Sequence, residues 1–283
     1  MLDIAQPGDE TRLEDFLSGH TETSMFLRSN LAAHGIGSDE PLGTTFYVWQ
    51  TDRQIRAVFG KSNSGYLLCQ NPEKAEKPAL EFAAKVRKKP LLGMTGCATQ
   101  VPLVIAGLGY PQSAWKIAGD EPLFSLDLNQ LQPTVDVDNL RPACPDDLQF
   151  LPDWFRGNDI DTGFSTAGPA VDKRAKELAE KAIHRPSFCI LEENGIPVAM
   201  SDLNAKLPDI VQIGGVYVPP YLRNKGYARR VVAAQLARAK KHGVQRAILF
   251  AISEPAARAY RAIGFQHIGQ YRINLVDPDW TPE

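Results

Sequence analysis

The run "VYVPPYLRNKGYARRVV", residues 216–232, holds residue types suited to gripping an anion. Pro219 and Pro220 stop a β-branched strand, Gly226 supplies a backbone bend, and Arg223, Lys225, Arg229 and Arg230 bring positive charge. From Ile210 to Ser253 there is no Asp or Glu, while Arg238, Lys240, Lys241 and Arg246 add further cations. A helix opening at about Ala228 would aim several unpaired N–H groups, and roughly half a positive charge, at the same spot. The guest this favours is a phosphate, and the small residues Gly226 and Ala228 leave room for its oxygens to reach the backbone. Arg238, Lys240 and Lys241 lie far down the helix and read as a solvated face. Neither G-x-G-x-x-G nor G-x-x-x-x-G-K-S/T occurs in the loop, so a Rossmann dinucleotide or P-loop site has no support.

The elements around this loop follow from periodicity. "LRPACPDDLQFLPDW" gives a short strand and a helix opened by Pro145 and Asp146, and "VDKRAKELAEKAIH" a second helix with Val171, Leu178 and Ala182 on its apolar face. "SFCILEE" and "PVAMSDLNA", joined by the turn "ENGI", and then "IVQIGGVYV" read as an antiparallel meander. After the loop come a helix to His242, stopped by Gly243, and the strand "RAILFAI". Ser253 is the expected N-cap of a last helix that carries Tyr260 and ends at Gly264, and the strand pair "FQHIGQYRINLV" closes the chain. The predicted class is α/β in the α+β sense: a mixed, largely antiparallel sheet flanked by helices.

Composition bounds the function. The 283 residues are 43% hydrophobic and 23% charged, enough for two domains with their own cores. A net charge of -2 shows no global bias toward nucleic acid or an anionic membrane, so any electrostatic argument is local. No apolar run approaches the roughly 20 residues that span a bilayer, and the acidic start "MLDIAQPGDE" lacks the order of a signal peptide. Cys69, Cys97, Cys144 and Cys189 stand far apart, as reduced thiols of a cytoplasm would. The expected location is cytoplasmic.

Arg223, Gly226 and Ala228 spell R-x-x-G-x-A. With the strand "VQIGGVYV" before it and "SEPAARAYRAIGF" after it, this stretch resembles the GNAT superfamily of acyl-CoA-dependent N-acyltransferases, whose signature is Q/R-x-x-G-x-G/A between the fourth strand and the third helix. The resemblance covers about residues 139–283. It implies a GNAT fold, acetyl-CoA as co-substrate and a small-molecule or peptide amine as acceptor. Backbone N–H groups of Arg223, Asn224, Lys225, Gly226, Tyr227, Ala228 and Arg229 would wrap the CoA pyrophosphate. The main chain of Val216, Tyr217 and Val218 would pair with the pantetheine arm, and an N–H at Val216 would polarise the thioester carbonyl. Tyr260 falls where the family places the tyrosine that protonates the departing thiolate. Ser253 stands where many members carry a cofactor-contacting asparagine, a departure from the pattern.

Direct attack of an amine on a thioester needs no covalent enzyme intermediate. The sequence has no G-x-S-x-G elbow and no cysteine with a nucleophile's signature. His20, His34, His184, His242 and His267 lack metal-ligand spacing, so no metal is expected. The general base stays open among Asp202 on a strand, Asp159 or Asp161 in the loop "GNDIDTG", and an ordered water; Glu192 and Glu193 flank a turn and read as solvated.

The N-terminal half echoes the C-terminal one. "LLGMTGCATQVPLVIAGLGY" aligns with "AILFAISEPAARAYRAIGFQ" when Gly109 is set on Gly264, which places Ile105 opposite Tyr260. "GYLLCQNPEKAEKPALEF" then occupies the strand-to-helix junction, with Glu73, Glu76 and Glu81 where the other half has cations. The polar segment "NQLQPTVDVDN" reads as a linker. The expectation is a duplicated fold: a degenerate GNAT-like domain over residues 1–137 and a catalytic N-acetyltransferase domain over 138–283. The rival functions are a non-catalytic acyl-CoA-binding regulatory module, which would not need Tyr260, and a nucleic-acid binder, disfavoured by few aromatics for stacking in the basic stretch.

Overall fold

The computed structural model describes residues 2–132 and 139–281. The chain forms two compact units, Met1–Pro122 with Gly269–Glu283, and Leu123–Ile268. The expected boundary at 137/138 lies outside the described residues. Packing divides the chain after residues 122 and 268, because a strand segment beyond each point pairs within the unit that follows.

In the first unit β1 (Leu2–Ile4) is followed by α1 (Glu10–Ser18), α2 (Thr21–His34), β2 (Thr44–Thr51), β3 (Gln54–Ser62) and β4 (Tyr66–Gln70). Then come α3 (Glu76–Val86), β5 (Gly93–Cys97) and α4 (Val101–Leu108). Neighbouring strands from β1 to β4 pair antiparallel, whereas β4 and β5 are parallel and need the crossover helix α3 between them. A strand from the chain's end completes this sheet. Residues Tyr271–Leu275 of β12 (Gln266–Val276) lie antiparallel to β5. Helices cover both faces: α3 and α4 bring Phe82, Val86 and Val104 onto Phe59, Leu67 and Met94, while α1 and α2 bring Leu13, Leu27 and Leu31 onto Phe46, Val58 and Leu68.

The second unit takes the last residues of β6 (Trp115–Asp127), then β7 (Leu140–Pro142), α5 (Leu151–Asp161), α6 (Pro169–Ala182), β8 (Cys189–Glu193), β9 (Ile196–Lys206) and β10 (Ile210–Tyr217). It ends with α7 (Tyr227–Lys241), β11 (Arg246–Phe250) and α8 (Glu254–Arg261). Strands β7 to β10 are antiparallel, β10 and β11 parallel, and residues 123–127 of β6 lie antiparallel to β11. The β8–β9 hairpin turns on Asn194 and Gly195, both at positive φ, as a two-residue Asn-Gly turn requires. The buried stripe of α7, including Val231, Val232 and Leu236, packs on Val211, Ile213, Ala247 and Leu249. On the other face Trp154 and Phe155 of α5 and Ala175 and Ala179 of α6 cover Ile190, Met200 and Tyr217.

Both units therefore run strand, two helices, three strands, helix, strand, helix, with one parallel strand pair in the same place. The duplication expected from the Gly109 and Gly264 alignment is present, and both glycines turn the chain at positive φ just beyond the last helix. Two local expectations change. The closing "strand pair" is the single strand β12. Pro145 and Asp146 open a 3-10 turn, Pro145–Gln149, and α5 starts separately at Leu151. The break is held by Asp147, whose buried carboxylate accepts from the Cys144 N–H and from Arg141 at 2.8 and 2.7 Å.

Candidate functional site

Strand β10 is interrupted where the site forms. Gly214 pairs with Asp202 and Tyr217 with Met200, so Gly215 and Val216 together face the single residue Ser201. This is a bulge, and Gly215 adopts the positive φ of 58° that it requires. The parallel ladder to β11 extends only to Gln212 and Ile248, although β10 continues to Tyr217 and β11 to Phe250. Past Gln212 the backbone groups of β10 on that side have no ladder partner in β11, and an extended chain inserted there would find them.

Beyond β10 a 3-10 turn at Pro220–Leu222 leads to Asn224 and Gly226, with φ of 63° and 80°. Alternating left-handed residues curl successive N–H groups toward one point, the geometry of an anion nest. Gly226 is the N-cap of α7 and has no side chain to cap it; the first helical bond runs from Arg230 N–H to the Gly226 carbonyl at 3.1 Å. The N–H groups of Tyr227, Ala228 and Arg229 are thus the orphan donors of the first turn. At α8, by contrast, the Ser253 hydroxyl accepts from the Ala256 N–H at 3.4 Å, so Ser253 serves as the expected N-cap.

The four loop cations are not equivalent. Arg223 pairs with Asp161, donates from Nε to the Val218 carbonyl at 3.0 Å and lies 5.7 Å from the Tyr217 ring centroid. Arg230 pairs with Glu193 at 2.7 Å and stacks over Tyr227. Lys225 and Arg229 have no carboxylate partner among the described residues. The Arg229 Nε lies 3.4 Å from where a β-carbon on Gly226 would stand, which keeps its guanidinium against the helix start. Of the far cations, Arg238 bonds the Leu140 carbonyl at 3.2 Å and so has a structural task.

Tyr260 sits in α8 with 6% exposure, in the same apolar cluster as Val218, Val231, Leu249 and Ala251, with Val216 and Ala228 packed against it. Burial pushes its hydroxyl up to about 12. Among the described residues that hydroxyl has no hydrogen-bond partner, so its proton is kept at neutral pH and is uncommitted. The carboxylates considered as bases are all held by arginines: Asp159 by Arg174 at 2.9 Å, Asp161 by Arg223, and Asp202 by Arg185 at 2.8 Å. Asp159 and Asp161 belong to the last turn of α5 rather than to a loop. Asp202 lies nearest the bulge, across from Gly214, and burial raises its proton affinity in spite of Arg185. Among the described residues no group of three His, Cys, Asp or Glu is placed to hold a metal ion, and no helix is long and apolar enough to cross a membrane.

The equivalent place in the first unit is sealed. β4 pairs with β3 without a bulge. At its end Asn71 is fully buried, and its own N–H donates to the Gln100 side chain, at the start of α4, at 2.7 Å. The Asn71 carboxamide bonds both the N–H and the carbonyl of Ala75, the N-cap of α3, at 3.2 and 2.9 Å. α3 and α4 pack so closely that a β-carbon on Gly107 would stand 2.7 Å from the Ala83 methyl. Glu73 is paired with Arg56 and Glu81 accepts from the Leu2 N–H. Ile105, opposite Tyr260 in the repeat, packs against the apolar cluster of that unit. Sequence reasoning anticipated the absent cations and missed the sealing, which depends on Asn71 and Gln100 meeting across the sheet end. It also missed the bulge, although the Gly214-Gly215 pair inside a strand pattern was a usable signal.

Residues 154–265 match the family model described as the acetyltransferase (GNAT) family. No curated protein matches the chain. Among solved structures, an acetyltransferase from the GNAT family from Colwellia psychrerythraea is 13% identical, with a TM-score of 0.53, covering 97% of this chain and 99% of its own. A GCN5-related N-acetyltransferase from Sphaerobacter thermophilus is 14% identical with a TM-score of 0.56, covering 97% and 94%. A tandem GNAT protein from the clavulanic acid biosynthesis pathway is 9% identical with a TM-score of 0.53, covering 100% and 99%. At these identities the likeness is one of fold: a tandem GNAT architecture along the whole chain.

Proposed function

We propose, on the premise that residues 154–265 form a domain of the acetyltransferase (GNAT) family, that the chain moves an acetyl group from acetyl-CoA to an amine by direct attack within a ternary complex. The observation that carries the reading is the bulged β10, running apart from β11 into a helix N-terminus with no side-chain cap. A thioester with a pantetheine arm and a pyrophosphate suits that arrangement at both ends.

In this reading the N–H groups from Asn224 to Arg229 take the pyrophosphate, with Lys225 and Arg229 supplying free charge; the Arg223 N–H, expected among them, already donates to the Pro220 carbonyl at 3.3 Å and closes the 3-10 turn. Val216, Tyr217 and Val218 meet the pantetheine arm chiefly through the groups left open past the end of the β11 ladder, since Arg223 already occupies the Val218 carbonyl. The Val216 N–H holds the thioester oxygen as negative charge develops on it. The neutral amine attacks the carbonyl carbon, the C–N bond forms and the C–S bond breaks. Tyr260 gives its proton to the departing thiolate, and the nitrogen's surplus proton passes to water or to Asp202. Ser253 acts as helix cap in this scheme, with cofactor contact a secondary proposal. The acceptor is a small-molecule or peptide amine. The four cysteines are free, which accords with a reducing compartment.

A second reading, a non-catalytic acyl-CoA-binding module, draws support from the arginine pairing of all three carboxylates. One experiment separates them: purified protein with acetyl-CoA and a panel of primary amines and amino-terminal peptides, following thiol release. Amine-dependent release supports the enzyme. CoA binding without release over the whole panel supports the module.

A further inference from the structure

The first residue of R-x-x-G-x-A is placed as though it were not meant to touch the anion. The Arg223 guanidinium is committed three ways: to the Asp161 carboxylate, to the Val218 carbonyl and to the face of Tyr217. Asp161 lies in the last turn of α5, where a carboxylate faces the negative end of the helix dipole and is disfavoured unless a cation offsets it. Tyr217, at the end of β10, presses its hydroxyl against the same helix at Gly157, where a β-carbon would overlap it. The last turns of α5 therefore grip the end of β10 and the loop after it at two points, residues 157 and 161.

We propose that Asp161 and Arg223 are a pair of positioning residues that hold the loop of residues 219–226 in its anion-binding shape before CoA arrives, and so tie the end of α5 to the CoA cradle. This rests on the reading of the loop as the pyrophosphate site. An exposed ion pair alone contributes little, and both side chains are about two-fifths exposed, at 43% and 42%. The effect comes from one guanidinium joining three partners that belong to a helix, a strand end and the loop. Rigidity of that kind lowers the ordering cost of binding.

The test is a titration of CoA alone, over a range of salt concentrations, into wild type, Asp161→Asn, Asp161→Glu, Arg223→Ala and the double variant. The two mechanisms predict opposite signs for Asp161→Asn. Removing a negative charge beside a pyrophosphate site should tighten CoA if Arg223 holds the phosphate and Asp161 merely competes for it. Positioning predicts the reverse: Asp161→Asn and Arg223→Ala each weaken CoA by about three- to tenfold, and the double variant is no worse than the poorer single one. Asp161→Glu then restores part of the loss. The slope of affinity against salt stays near that of wild type in Arg223→Ala, because no phosphate contact is removed. Amide hydrogen exchange over residues 219–226 quickens in the CoA-free Asp161→Asn protein while the melting temperature changes little. Tighter or unchanged CoA binding in Asp161→Asn overturns the inference. A wild-type protein that binds no CoA overturns the donor assignment itself.

Discussion

Gly157 and Tyr217 occupy one another's space: any β-carbon on Gly157 would run into the tyrosine hydroxyl. The contact fixes the end of β10 against α5 one residue before the strand gives way to the loop. Gly157→Ala should therefore displace Tyr217, at a cost of about 1–3 kcal/mol of stability as in other overpacked sites. Chemical denaturation measures the first effect. CoA titration should show a parallel loss of affinity, absent from the equally small change Gly119→Ala, where no atom lies within 4 Å of the added carbon.

Tyr260→Phe isolates the hydroxyl from the ring. If the hydroxyl protonates the thiolate, turnover on an acceptor found in the amine panel should drop about 10²- to 10⁴-fold, with CoA affinity nearly unchanged. The pH dependence offers an independent check. Burial pushes the Tyr260 hydroxyl from 10.0 up to about 12, so the unfolded chain gives up this proton first. The stabilisation is complete below about pH 10 and is lost as the pH rises toward 12. The melting temperatures of wild type and Phe variant should thus hold a constant difference up to about pH 10 and shift against wild type above it.

Charge in the loop should act residue by residue. Lys225→Ala and Arg229→Ala remove unpaired cations and should each weaken CoA by about tenfold while flattening its salt dependence. Arg230→Ala frees Glu193 and should have a smaller effect. Arg238→Ala should lower the melting temperature through the lost Leu140 contact and leave CoA affinity alone. Gly226→Val forces a β-branched residue to a φ of 80° and should weaken CoA more than any of these.

The full chain should bind one CoA. The first unit spends on Asn71, Gln100 and Ala75 the hydrogen bonds that a ligand would need. Calorimetry returning a stoichiometry of two would contradict this, and a stoichiometry of one should persist in Asn71→Ala, because the unbulged β4 and the close α3–α4 packing remain.

Much of this was legible in the linear order of residues. The strand and helix succession of the second unit, the loop and the caps follow from local rules, since Pro219, Gly226, Ser253 and Gly264 each act within a few positions of themselves. The echo of the first unit rested on Gly109 and Gly264 and held through every element. What escaped notice joins distant residues: Arg223 finds Asp161 across 62 positions, and Arg185 finds Asp202 through the fold. No periodicity encodes such pairings. The closing segment reads as a strand pair, yet β12 runs through Gly269 at a φ of 154° as one strand.

The strand segment that gives β5 its second neighbour, residues 271–275, is made after all the described strands of the second unit. During synthesis residues 123–268 leave the ribosome as one continuous stretch with every described strand segment of their unit included, whereas β5 must wait for residues 271–275 to gain its second neighbour. The N-terminal half, translated first, is therefore the later of the two to finish its sheet. A chain stalled or clipped near residue 268 would leave β5 as an open sheet edge, ready to pair with whatever strand it met.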